Sequence, residues 1–224
     1  MGLKIRKEIL SFADVVRLAG TSENTVLLVR HSFRRSLNDG TFDPPLTGEG
    51  AEYARNCGAL LAGLKDVSFG ASPRLRARQT AGELMRGGGF PEQKVRVHSE
   101  LGDTAMFTRP EYLDAALASG GIAGKLESYF STGQAPNMIG LPVFARDLLA
   151  FLTETDFGRK NAVLATHDIL LVALLSVYEV YPFKLDDWCG FVQGAALFRD
   201  RDGDWSIAYA VPDASRRKKY ALFV

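Results

Sequence analysis

Three short segments concentrate the residue types that can do chemistry. In "LLVRHSFRRS", residues 27–36, an apolar run turns abruptly into Arg30, His31, Arg34 and Arg35. In "SPRLRARQTA", residues 72–81, arginines fall at 74, 76 and 78, and in "VLATHDILL" His167 is followed by Asp168. A guanidinium is permanently charged and forked, so several together can hold the oxygens of a dianionic group bidentately. A neutral imidazole nitrogen beside them can attack phosphorus and form a phosphohistidine, splitting one hard displacement into two. Like charge from the arginines disfavours protonation of His31 and keeps that nitrogen free. Each segment alone is a weak signal. "RHSFR" also suits a solvated loop, and a lone histidine before a helix also suits a cap or a packing role.

On a helix, residues two apart point to opposite sides and residues four apart share one. Arg74 and Arg78 are therefore expected on one face, solvated, and Arg76 on the other. Splitting the arginines this way weakens a nucleic-acid stripe. One arginine, Arg76, entering a pocket near a helix N-terminus fits better, because anions are favoured there.

Such side chains need strand ends to hold them. "TVLLVR" (25–30) is short, β-branched and uninterrupted, as in a strand buried on both faces. "LTGEGAEYARNCGALLAGL" sets Ala51, Ala54, Cys57, Leu61 and Leu64 at helical spacing behind a Thr47 N-cap. A strand "VSFGAS", a helix over "RLRARQTAGELMRGGG" and a short strand "KVRVH" follow. Next come a helix around "VFARDLLAFLTET", a strand "NAVLAT" and a helix from "DILLVALLSVY". The chain closes with "GAALFR", the turn "DRDGD" and "WSIAYAV", an antiparallel hairpin. The alternation predicts a single α/β domain over 1–224, a three-layer α/β/α sandwich with a mainly parallel central sheet. Ligands bind such sheets outside the carboxyl ends of the strands, where Arg30, His31, Ser72, Thr166 and His167 fall. Residues 103–140, with Pro110 starting one short helix and "KLESYF" another, read as a small helical cap inserted over that rim.

Composition agrees with a local rather than a global charge. Hydrophobic residues make up 46% of the 224, charged residues 24%, and the formal net charge is +1, which points away from nucleic-acid and membrane partners. No run approaches the roughly 18 apolar residues of a membrane span. The N-terminal "MGLKIRKEILSFADVVRLAG" has charges within its apolar pattern and reads as an amphipathic helix, not a signal peptide. Two cysteines give no disulfide framework: Cys57 is expected as a buried thiol, with a Cys57–Cys189 bridge as the alternative. A cytoplasmic location is the default. Three scattered histidines, His98 among them, give no metal-ligand spacing, so no metal or cofactor is expected.

Taken together, the segments resemble the histidine phosphatase superfamily, which includes phosphoglycerate mutases and histidine acid phosphatases. Its strand-end motif matches Arg30 and His31, its "LTxxG" matches Leu46, Thr47 and Gly50, and its "SPxxRAxQTA" matches residues 72–81. The resemblance implies His31 as nucleophile and Arg30, Arg34, Arg76 and His167 as phosphate ligands. It implies a metal-independent phosphomonoesterase acting on a small phosphorylated substrate or phosphoprotein. Arg34 and the His167–Asp168 pair lean towards the acid-phosphatase branch, making Asp168 the proton donor. The mutase branch takes its acid after the third strand, for which Glu100 is the alternative. The family's usual glycine after the histidine is Ser32 here, small enough to be tolerated. The alternatives are a phosphomutase or phosphotransferase using the same phosphohistidine, and a catalytically weak phospho-ligand binding protein.

Overall fold

A computed structural model describes residues 2–35, 43–113, 122–184 and 186–216. The apolar runs form the middle of one seven-stranded sheet. Strand β1 spans Leu3–Ser11, β2 Asn24–Arg30, β3 Val67–Ala71, β4 Arg96–Val97, β5 Asn161–Thr166, β6 Gly194–Arg199 and β7 Trp205–Val211. Their order across the sheet is β1-β7-β6-β2-β5-β3-β4. Neighbours pair in parallel except β6, which runs antiparallel to both β2 and β7. The expected β6–β7 hairpin therefore forms. Its turn is held by Asp200, whose Oδ1 accepts from the amides of Asp202 and Asp204.

Helices cover both faces, giving the α/β/α sandwich. Successive residues of a strand point to opposite faces, and β2 shows this directly: Leu27 and Val29 join one core cluster, Val26 and Leu28 the other. The first cluster packs under helices α1 (Phe12–Ala19), α2 (Gly48–Ala59) and α3 (Leu75–Gly87). The second packs under α4 (Ile122–Thr132), α5 (Leu141–Glu154) and α6 (Asp168–Val177). In α6 every residue from Ile169 to Leu175 is buried, as expected of a helix apolar all round. No helix among the described residues is long and apolar enough to cross a membrane.

One expectation needs correction. The N-terminal segment is not one amphipathic helix. Leu3–Ser11 is a strand that closes the sheet edge parallel to β7. Only Phe12–Ala19 is helical, because Ser11 caps it in a reciprocal capping box with Asp14. That Ser-x-x-Asp pattern is a helix start in the middle of the presumed helix. From residues 103–140, Met106, Phe107, Leu113, Leu126, Tyr129 and Met138 belong to the core under α5 and α6. Pro110 does precede a helical turn at 111–113, while the glycine stop at 120–121 lies outside the described residues. Both cysteines are buried free thiols, and burial pushes Cys57 up to about 12.

Candidate active site

The parallel neighbours β3, β5 and β2 end together, and hydrogen bonds continue the sheet into the rim. The His31 amide donates to Thr166 O (2.8 Å) and the Ser72 amide to Ala165 O (2.9 Å). This register brings Arg30, His31, Ser72, Arg76 and His167 to one place, each under a tenth exposed. Arg34 is half-buried beside them.

His31 Nδ1 lies 2.8 Å from Ser32 O. A carbonyl only accepts, so Nδ1 carries the proton and the lone pair sits on Nε2. Burial holds His31 well below the usual histidine value, with Arg76, His167 and Arg30 adding to the effect. The ring stands edge-on to His167, centroids 5.4 Å apart. Arg76 Nη2 donates to His167 Nδ1 at 3.3 Å, so His167 Nε2–H donates to Ser72 Oγ at 2.8 Å. Burial, then Arg76, Arg74, Arg30 and Arg34, keep His167 low as well. Both imidazoles are neutral at pH 7.

Each arginine is held by a carboxylate or a carbonyl. Arg30 Nη1 donates to Cys189 O (2.8 Å) and its Nη2 lies 3.2 Å from Asp168 Oδ2. Arg76 Nη2 donates to Asp103 Oδ2 (2.8 Å), and Asp43 stands 3.6 Å from its Nη1. Nε and Nη1 of this buried Arg76 have no hydrogen-bond partner among the described residues. A buried donor left unbonded is costly, and an anion's oxygens would satisfy it. Arg34 feels the same crowd: burial lowers it, followed by Arg76 and Arg30.

The motif residues have plain mechanical roles. Thr47 caps α2 by accepting from the Gly50 amide. Gly50 must lack a side chain, because a Cβ there would come within 2.1 Å of Phe33 O. Gln79 accepts from the Leu46 amide and Thr80 from the Ser32 amide, so α3 holds the loop that carries His31. Ser32 is fully buried and turns its hydroxyl away from His31 to donate to Gly50 O at 2.7 Å. It is not among the residues with positive φ, so this position demands no glycine.

Of the expected site residues, Arg30, His31, Arg34, Arg76, His167 and Asp168 converge. Glu100 does not join them. It sits exposed on a 3-10 turn, Ser99–Leu101, that buries Leu101 and turns Glu100 outward, where Ser99 is its partner. The carboxylate that enters from this segment is Asp103. Arg74 is not solvated: it precedes the first turn of α3 as its N-cap, so helical spacing does not govern it, and its Nε bonds both Asp103 oxygens. Arg78 is exposed as expected. Sequence reasoning missed Asp103 and Asp43, and an acidic residue just after a rim-ending strand was the available signal for Asp103. It also missed Trp188 and Phe191, which lie far along the chain and carry no motif.

The described residues thus form an α/β sandwich with a basic, histidine-bearing rim at its parallel strand ends. Residues 26–108 match the model of the histidine phosphatase superfamily (branch 1). That segment carries the motifs around Arg30, His31 and Arg76, so over these residues the chain is similar to that superfamily. The matching model is that of branch 1 rather than of the acid-phosphatase branch towards which Arg34 and Asp168 leaned. Among solved structures, a phosphoglycerate mutase from Bacillus anthracis aligns with TM-score 0.56 and 19% identity, over 88% of this chain and 96% of that one. A mycobacterial glucosyl-3-phosphoglycerate phosphatase aligns with TM-score 0.55 and 21% identity, over 84% and 98%. A putative alpha-ribazole-5'-P phosphatase from Escherichia coli aligns with TM-score 0.53 and 18% identity, over 83% and 95%. At such identities the likeness speaks for the fold. No curated protein matches the chain at a significant level.

Proposed function

We propose that the protein is a phosphomonoesterase working through a phosphohistidine on His31. The observation that carries this is the His31 ring itself: buried, neutral, its Nδ1 proton tied to Ser32 O, with Arg76, His167 and Arg30 as its charged and polar neighbours. Nε2 attacks phosphorus in line while Arg30, Arg34, Arg76 and His167 hold the oxygens. Phosphoryl transfer asks the protein mainly for positioning and charge stabilisation, and the arginines supply the charge without a metal. The leaving alcohol takes a proton, and water then hydrolyses phospho-His31. The substrate is a phosphate monoester, small or protein-borne. The two buried thiols suit a reducing compartment such as the cytoplasm.

Asp168 is the proton donor in this reading, at the N-terminus of α6. A second reading gives the role to Asp103, and its bond to Arg76 favours it: a phosphoryl group on Arg76 would lie beside that carboxylate, and protonating it removes the repulsion. In either reading burial and the neighbouring arginines hold His31 itself in the unprotonated form that attacks.

The test is phosphate release from an aryl phosphate in EDTA across pH 4–8, for wild type, His31→Ala, Asp168→Asn and Asp103→Asn. Wild type should turn over and His31→Ala should not; residual turnover in His31→Ala at the wild-type rate overturns the mechanism. An alkyl phosphate, whose leaving group needs the proton, separates the donors. The true donor's variant loses far more on the alkyl than on the aryl ester.

A further inference from the structure

The six residues Trp188–Gln193, just ahead of β6, touch three different parts of the site. Trp188 Nε1 donates to Asp168 Oδ2 at 3.1 Å. Cys189 O accepts from Arg30 Nη1 at 2.8 Å. The Phe191 ring lies 4.1 Å beneath the Arg30 guanidinium and 6.0 Å from the His31 ring. The Val192 amide donates to Arg30 O (3.1 Å), and Gln193 O accepts from the Arg30 amide (2.8 Å). One turn thus grips Arg30 by its backbone, its charged end and its face.

That turn is strained. Val192 has φ +55°, in the left-handed region where a β-branched residue is an outlier. Such conformations persist only when their surroundings over-determine them. Here the determinant is Gln193, 3% exposed, whose Oε1 accepts from the Gly190 amide at 3.0 Å and from the hydroxyl of buried Tyr209 on β7. Its own amide returns a bond to Gly190 O. A polar pair inside an otherwise apolar wall is kept where it fixes one arrangement rather than for stability alone.

We infer that Gln193, braced by Tyr209, is a positioning residue that locks the Trp188–Gln193 turn and through it sets Arg30 and Asp168 against His31. Its catalytic consequence rests on the phosphohistidine reading above. Because the interactions serve alignment rather than substrate contact, loosening the turn degrades transition-state stabilisation more than ground-state binding.

Gln193→Leu removes the acceptor at similar size, and Tyr209→Phe removes one donor more gently. For Gln193→Leu, kcat on the aryl phosphate should fall about 10- to 100-fold, the scale of a misplacement near 1 Å, with KM little changed. Inhibition by orthovanadate, which mimics the transition state, should weaken about tenfold or more while inhibition by inorganic phosphate barely moves. The indole N–H resonance of Trp188, one of only two tryptophans, should shift in the absence of any ligand. Tyr209→Phe should show the same pattern more weakly, and it decides the matter if Gln193→Leu does not fold. A merely structural role would lower the melting temperature and leave the vanadate-to-phosphate ratio alone. Folded variants with wild-type kcat, ratio and indole resonance overturn the inference. A wild type that neither turns over nor binds vanadate overturns the phosphatase reading instead, and the indole resonance alone then judges the positioning.

Discussion

Gly50→Ala tests whether the α2 N-terminus holds the loop that carries His31. A Cβ on Gly50 would stand 2.1 Å from Phe33 O, 2.9 Å from Phe33 C and 3.1 Å from Phe33 Cα. All three are backbone atoms, so no rotamer relieves the clash. Ordinary contact begins near 3.4 Å, so helix and loop must separate by about 1.3 Å, 3.4 less 2.1. The same movement strains the Ser32–Gly50 hydrogen bond. His31 sits two residues before Phe33, and a misplacement near 1 Å costs on the order of 100-fold in rate. Overpacking of this kind also destabilises by about 1–3 kcal/mol, or roughly 2–12 °C in melting temperature for a chain of this size. Gly48→Ala, two residues away with nothing within 4 Å of its Cβ, is the control. It should keep full activity and gain about 0.4–1 kcal/mol from lost chain entropy. Parallel measurement of kcat/KM and thermal unfolding reads both. Wild-type activity and melting temperature in Gly50→Ala would refute the claim that this contact sets the loop.

Thr80→Val deletes the acceptor of the Ser32 amide and the donor to Arg76 O; leaving that amide unsatisfied should cost about 1–3 kcal/mol in urea unfolding at constant m. The two pocket histidines make stability depend on pH. Their values are depressed in the fold, so below about 6.5 the unfolded chain takes up protons that the native protein refuses. Stability is full above that pH and falls on acidification, by about 1.4 kcal/mol per pH unit for each histidine; a melting temperature flat between pH 7 and 5.5 contradicts the assigned neutral state. Asp103→Asn removes a negative charge beside Arg76, where the proposed reaction places the phosphate. At roughly 5 Å and an effective dielectric near 20, a unit charge pair is worth about 3 kcal/mol, so inorganic phosphate should inhibit the variant about tenfold or more tightly, and unchanged inhibition refutes the placement.

What the sequence revealed follows the range of its signals. β2, β3 and β5 were legible because strands buried on both faces leave unbroken apolar runs, and the hairpin because "DRDGD" is turn chemistry between two such runs. His31, Arg76 and His167 were legible because each follows a strand or opens a helix that the pattern already placed. β1 was not. Its residues are mostly half-exposed on a sheet edge, so the alternating burial that marks a strand is blurred and the following helix lent it a helical look. Arg74 was misjudged because helical geometry was applied one residue before the helix begins. Asp103, Trp188, Phe191 and Gln193 act across long separations, and no local pattern announces which distant carboxylate or ring will reach a guanidinium.

The aspartates explain how so basic a pocket can exist at all. Arg30 and Arg76 are 4% and 6% exposed, and taking a guanidinium out of water costs several kcal/mol unless a partner offsets it. Asp168 and Asp103 are those partners, and Asp43 stands in reserve beside Arg76. In the proposed reaction the same carboxylates would oppose an incoming dianion and lower affinity for substrate and product alike. A purely cationic cage would bind phosphate tightly before and after the chemistry, and such uniform binding does nothing for kcat. In the proposed reaction the phosphoryl oxygens would take up Arg76 Nε and Nη1, which have no hydrogen-bond partner among the described residues.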